Sequence, residues 1–305
     1  MKERDDGTYV IVIHFRSDVF QNFRNLSLRL YQLDPAHYSS APGLTWEAAL
    51  KYSGAEISLI DDITQSLFVG KSNYYCCYLI AILTLDQAMV GGYSAAHIPY
   101  VEANNIYMPD YRAEEPNNYL LYLDANNLYG HSLSSALPQS DFRWLDQKTI
   151  REQFTAERIR NLTYEEINEA DRGYFVEVDL FYPESLHDKH NTLPCGPMMS
   201  TVTADMLSEE QRRNAEKLGI KIGKGSQKIL LDFREKKGFV THLQNLALYL
   251  KLGVELKKVS RVLSFRQADY FRSYIELNTE LRRAAGTDVT LKDFAKLMVS
   301  EVILF

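Results

Sequence analysis

The 305-residue chain is 46% apolar, 24% charged and 12% aromatic, a globular composition that excludes a disordered, collagen-like or disulfide-stapled protein. Its three cysteines, Cys76, Cys77 and Cys195, make neither a disulfide framework nor a four-cysteine zinc site, and they point to a reducing, intracellular setting. The net charge of −6 hides an asymmetry: residues 1–216 carry −14 and residues 217–305 carry +8, so a polyanion would meet the last third, although solvated basic helix faces give the same balance.

The charged opening Met1-Lys-Glu-Arg-Asp-Asp-Gly7 is not a secretory signal. The longest apolar run, 74–85, is shorter than the roughly 20 residues a bilayer demands. A soluble protein without membrane contact is expected, in the nucleus, the cytoplasm or an organelle.

In chain order, Val19, Phe20, Phe23, Leu26 and Leu30 fall at helical spacing and predict an amphipathic helix over 16–31, with Ser17 or Asp18 as its cap. A loop punctuated by Pro and Gly leads to a short helix from Thr45 to Tyr52 that Thr45 would cap. Residues 56–60 alternate weakly, and the block 74–85 reads as a buried strand or a core helix. The run Tyr119-Leu-Leu-Tyr-Leu-Asp124 predicts a buried strand with Asp124 at its C-terminal end and an Ala-Asn-Asn turn after it. Residues 155–171 read as helical, and 173–183 as a strand with Glu177 and Asp179 on one face, closed by Pro183. Helices follow over 207–218, opened by Ser208, over 241–252, ended by Gly253, and over 267–283 and 290–304, with a strand at 255–264. The class is α+β, without internal repeats.

Three groups of residues carry chemistry. A carboxylate such as Asp124 at a strand end can bind Mg²⁺ while the next carbonyl completes the shell, and an aromatic five positions on, Tyr129, can lie under a sugar; a plain Asx-turn explains the same residues. Arg282, Arg283 and Lys296 can clamp a triphosphate across a helical hairpin, or simply face solvent. His187, His190 and Cys195 have possible metal-ligand spacing but lack an evident fourth ligand.

Tyr119 to Gly130 resembles motif A of family-B DNA polymerases, in the form carried by the protein-primed branch of organellar, viral and self-synthesising transposon enzymes. The common form is Asp-x-x-Ser-Leu-Tyr-Pro, with Asn127 and Gly130 standing here for Ser and Pro. Further stretches are similar to that subgroup in the same order: 33–51, 91–93, 102–105, 173–180, 186–191 and 274–283. Asp293-Phe-Ala-Lys296-Leu-Met298 looks like the start of motif B on the fingers helix. The resemblance implies Asp124 as a catalytic Mg²⁺ ligand with the Ala125 carbonyl as its companion. It implies Leu128 and Tyr129 as floor and steric gate of the nucleotide pocket, and Lys296 with Arg282 or Arg283 on the triphosphate. DNA template-primer, deoxynucleoside triphosphates and a terminal protein are the implied partners.

The implied fold is a partial palm and fingers preceded by the end of an exonuclease-like domain. Its spans are 1–65 for the exonuclease-like remnant, 66–90 for an apolar insertion and 91–150 for the palm with motif A. Residues 151–254 are palm with a region like the terminal-protein-binding element, and 255–305 are fingers with partial motif B. The pattern also departs from the family. Ser300 to Leu304 stand where motif B continues with Asn-x-x-Tyr-Gly or Asn-x-x-Phe-Gly, and the Asp-Thr-Asp of motif C is not found, which implies a chain shortened before motif C. Tyr9 lacks an aspartate four residues later, so no exonuclease activity is expected. Residues 68–90 interrupt the resemblance, with Val90 in the place of an arginine, as a misjoined exon, a retained intron or a true buried insertion. The implied function is that of a DNA-directed DNA polymerase, a nucleotidyltransferase, inactive as this chain; the rival is a non-catalytic DNA- or nucleotide-binding remnant of a viral or transposon polymerase.

Overall fold

The computed structural model describes residues 2–3, 9–10, 17–70, 100–220 and 226–304. A two-residue antiparallel pair, β1 (Lys2–Glu3) and β2 (Tyr9–Val10), precedes three helices: α1 (Ser17–Tyr31), α2 (Ala41–Ser53) and α3 (Ile63–Gly70). Next come α4 (Leu128–Leu133), β3 (Leu137–Trp144), α5 (Gln147–Gln153), α6 (Ala156–Asn161), α7 (Tyr164–Asn168) and β4 (Arg172–Phe181). They are followed by α8 (His187–His190), β5 (Met198–Val202), α9 (Glu209–Lys217), β6 (Ser226–Leu230), β7 (Lys236–His242) and α10 (Leu243–Lys251). The chain closes with β8 (Glu255–Ala268), α11 (Arg272–Ala284) and α12 (Val289–Ser300). Helix and sheet are thus mixed. They fall into two units that interleave along the chain, one of 1–59, 127–140 and 267–305, the other of 60–126 and 141–266.

The first unit is helical, built on α1, α2, α4, α11 and α12. Helix α2 begins at Ala41, four residues before the expected start, because Ser40 Oγ accepts the Gly43 N–H at 3.4 Å and Pro42 stands in the first turn, where its fixed φ suits a helix. Thr45, expected as the cap, instead lies buried in the second turn and donates its hydroxyl to the Pro42 carbonyl at 3.0 Å. Gly54 ends the helix at φ +65°, where a side chain would be strained. The core gathers Tyr31, Leu44, Phe271, Tyr274, Phe294 and Met298. Its buried polar atoms are chained together: Tyr31 Oη donates to Asn278 Oδ1 at 2.7 Å, Asn278 Nδ2 to the Tyr274 carbonyl at 2.9 Å, and Tyr274 Oη to the Met298 carbonyl at 2.8 Å. Satisfied in this way, the polar groups add specificity to an aromatic core without an unpaired-group penalty.

The second unit holds a four-stranded sheet of order β3-β8-β4-β7, in which β4 runs antiparallel to both β8 and β7. Alternation along β4 splits its side chains between two cores. Val176, Val178 and Leu180 pack with Ile150, Phe154, Ile159, Leu246 and Leu250 from the helices of one face. Phe175 packs with Leu263, Phe265 and Val240, under Phe68 and Val69 of α3. Phe68 and Val69 open the stretch that interrupts the family resemblance, yet both are buried; the remainder of that stretch from residue 71, including the block 74–85, lies outside the described residues.

The helical region expected over 155–171 is two short helices, each started by a threonine, Thr155 and Thr163, the second with a full capping box to Glu166. Thr241 belongs to β7 rather than to a helix, and α10 starts at the next turn with His242 as its cap. Residues 56–60 form no strand, although the Ser58 N–H donates to the Gln139 carbonyl at 2.9 Å. The largest correction concerns Tyr119–Asp124, which joins no described strand and is exposed throughout, Tyr122 at 91%. A run that is apolar on both faces becomes a strand only where a ladder and covering layers exist, and no described strand lies alongside it. What precedes it is well built: Asn104 and Asn118 bridge, and the Asn104 side chain is bonded to the backbone of Arg112, Glu115 and Pro116.

Candidate functional site

The residues singled out from the sequence start at a tight turn. Asn127 takes the left-handed conformation, φ +54°, and its Oδ1 accepts the Gly130 N–H at 3.3 Å, so that α4 begins immediately behind Asp124, Ala125 and Asn126. Asparagine is the non-glycine residue best suited to this conformation. A Cβ at Gly130 would sit 2.2 Å from Asn127 Nδ2 and 2.6 Å from its Cγ, so a larger residue there would displace the capping side chain. Spacing alone does not reveal this interlock.

Helix α4 packs against both α11 and α12, which also pack on each other. Leu128 and Tyr129 on α4 are half-exposed or more. Lys296 on α12 and Arg282 and Arg283 in the last turn of α11 are exposed, and among the described residues none of the three forms an ion pair. The loop between α11 and α12 is short: Asp288 N–H bonds the Ala285 carbonyl at 2.7 Å, and Asp288 Oδ1 caps α12 through the Leu291 N–H at 3.0 Å. Consecutive helical residues point about 100° apart, so Arg282 and Arg283 do not share one direction. Arg282 lies nearer the buried stripe of Tyr274, Ile275 and Asn278, and Arg283 lies on the far side.

Asp124 and Ala125 are exposed, on the extended segment of the other unit. A two-ion phosphoryl-transfer centre needs carboxylates that bridge both ions. Among the described residues no group of three His, Cys, Asp or Glu side chains is placed to hold a metal. The acids closest in kind are already used: Glu177 is paired through both oxygens with Arg261, at 2.7 and 3.3 Å, and Asp179 accepts the Gly238 N–H at 2.8 Å. Arg261 in turn lies over the rings of Phe68 and Trp144, 4.9 and 5.4 Å from their centroids. One exposed carboxylate with its neighbouring carbonyl does not fit a two-Mg²⁺ centre.

The histidine and cysteine loop has a packing role. His190 Nδ1 bonds the Tyr182 hydroxyl, His187 stacks on Phe233 with centroids 4.2 Å apart, and the Tyr182 hydroxyl also accepts the Cys195 N–H at 3.3 Å. Burial holds the Cys195 thiol above its ordinary range and pushes the Tyr182 hydroxyl up to about 12. No helix among the described residues is long and apolar enough to cross a membrane.

In comparisons with protein-family models, curated proteins and solved structures, the chain matches none.

Proposed function

We propose that the chain is a deoxynucleotide- and DNA-binding protein of the protein-primed family-B polymerase type, in which α4, α11 and α12 form the triphosphate site. The observation that supports this reading is the mutual packing of three helices that carry Tyr129, Arg282 and Lys296 exposed, the two cations without ion pairs among the described residues. Lys296 supplies a point charge to phosphate oxygens and Arg282 a planar fork, roles for which these two side chains differ in the right way. Tyr129 offers an aromatic edge to the sugar. DNA enters the reading through the basic last third, by contacts that weaken with salt. Because the described carboxylates do not fit a two-ion centre, no nucleotidyl transfer step is assigned to them.

Two measurements test the reading. Titration with a deoxynucleoside triphosphate should show binding that Lys296→Ala weakens about 10-fold or more, in keeping with the loss of one charge-assisted contact of about 1.5–3 kcal/mol, while Asp124→Ala leaves it unchanged in the absence of metal. Primer extension with Mg²⁺ separates the rival: incorporation abolished by Asp124→Ala would establish a working polymerase, whereas binding without incorporation identifies the non-catalytic form. Absence of nucleotide binding in the wild-type chain would sink the proposal.

A further inference from the structure

The helical unit carries a cleft of about 360 Å³ between the loop 37–40 and the start of α2. On the α2 side it is lined by Gly43, Trp46, Glu47 and Leu50, which stand at i, i+3, i+4 and i+7 and so form one stripe of the helix. The face beside that stripe, with Leu44, Ala48 and Ala49, is buried in the core. Both walls are held. Arg24 forks onto Asp34 at 2.9 and 2.5 Å, and Asp34 Oδ1 accepts the Ala36 N–H at 3.0 Å to cap the 3₁₀ turn Pro35–His37, which carries the loop. Trp46 packs edge to face on the buried Phe271, with centroids 5.4 Å apart. Across the cleft the Tyr38 hydroxyl donates to Glu47 Oε2 at 2.5 Å and fixes the carboxylate against the two rings.

The charge of Glu47 is left without a counter-ion. Lys51 stands four residues further along α2, the spacing at which a glutamate and a lysine ordinarily pair. Its ammonium instead donates to the Gln32 carbonyl at 3.2 Å, and the nearby Arg24 is engaged by Asp34. Glu47 forms no ion pair among the described residues, and no lysine or arginine lines the cleft. Burial and the bond to Glu47 push the Tyr38 hydroxyl up to about 12, so it remains a donor. Aromatic rings present negative faces, and a fixed carboxylate beside a tryptophan and a tyrosine adds to that potential. A cation complements both. A metal ion needs several oxygen ligands, whereas one carboxylate with ring faces suits a weakly hydrated organic cation.

We propose that this cleft binds an organic cation, an ammonium or guanidinium group on an alkyl stem, with Glu47 as its counter-ion and Trp46 and Tyr38 as its aromatic walls. It shares no residue with the proposed triphosphate site. The chain has two tryptophans, Trp46 and Trp144, so the test follows the emission of Trp46 as sole reporter in Trp144→Phe. Propylguanidinium chloride is titrated at constant ionic strength, and a capped pentapeptide with one central arginine is titrated in parallel. The expected result is a saturable change in the millimolar range or below. Glu47→Gln keeps an acceptor for the Tyr38 hydroxyl and should weaken binding about 10-fold. Glu56→Gln, which removes an exposed charge just beyond α2, should leave binding within about 2-fold. Tighter binding of the peptide assigns the cleft to a basic side chain of a partner, and equal binding assigns it to a free amine or guanidine. Absence of a saturable change in either titration overturns the proposal, as does an affinity that Glu47→Gln leaves unchanged or that Glu56→Gln lowers equally.

Discussion

At the scale of single residues, the interlock of Asn127 with Gly130 has the clearest cost attached. Gly130→Ala places a methyl group inside the Asn127 side chain, so the cap must rotate away and the start of α4 loses its partner. The expected destabilisation is about 1–2 kcal/mol by urea unfolding. In Asn127→Gly/Gly130→Ala the second substitution should cost less than it does alone, because the clashing side chain is gone. A chain in which Gly130→Ala is neutral would show that the turn adopts another form. The buried bond from Tyr31 to Asn278 gives a second case. Tyr31→Phe strands the Asn278 carbonyl oxygen in the core and should cost about 1–3 kcal/mol, measured in the same way.

His242 offers a pH signature at this scale. Buried against Phe175 and Phe265, it is held neutral, with a pKa pulled down from 6.5 to about 4 by burial. The unfolded chain takes up a proton near pH 6.5 and the folded chain does not, so stability from this site is complete above pH 6.5 and falls as pH drops toward 4. Unfolding free energy measured from pH 7 to 4 should decline, and His242→Asn, which keeps an acceptor for the Gln244 N–H at the start of α10, should flatten part of that decline. An identical slope in the two proteins would assign the acid sensitivity elsewhere.

At the scale of elements, local signals were legible where one side chain decides the outcome. Ser208 with Gln211 forms the capping box that opens α9, and the alternation of 173–181 becomes β4 with Glu177 and Asp179 half-buried on one face. Position mattered more than type where the signals failed. Thr45 is a good cap residue, but Ser40 followed by Pro42 starts the helix first. Strands β3 and β7 carry Pro138 and Gly238, residues that read as breakers, and both are edge strands, where a proline is tolerated and where Gly238, at φ +60°, gives its N–H to Asp179 Oδ1 instead of to a ladder. Of the candidate site, the residue types were legible and their grouping only in part: α4, α11 and α12 meet, while Arg282 and Arg283 diverge. The expected outcome is that only one arginine matters for triphosphate binding. Arg282→Gln should weaken it about 10-fold and Arg283→Gln less than 2-fold, by the titration used for Lys296.

At the scale of the whole molecule, the charge asymmetry of the sequence acquires a location in each unit: Arg282, Arg283 and Lys296 in one, Lys257 and Lys258 in the other. The same scale explains why Tyr119–Leu123 misled. Five apolar residues in a row report a preference for burial, and burial depends on what the rest of the chain places alongside, which no local pattern encodes. Left exposed, this run is a contiguous apolar surface with strong strand preference, the kind that associates. Leu121→Lys should raise the concentration the protein tolerates before scattering light, without lowering its unfolding free energy by more than about 0.5 kcal/mol. A loss of several kcal/mol would instead show that Leu121 is covered.

The bond between Tyr31 and Asn278 joins residues 247 positions apart, and this separation bears on synthesis. At roughly 5–20 residues per second, α1 and α2 leave the ribosome roughly ten to fifty seconds before the helix that completes their core has been made. The sheet unit ends at residue 266, so its last strand is translated ahead of α11 and α12. During that interval the aromatic faces of the first two helices wait uncovered, and a chaperone that shields them early would raise the yield of folded chain more than one added after release.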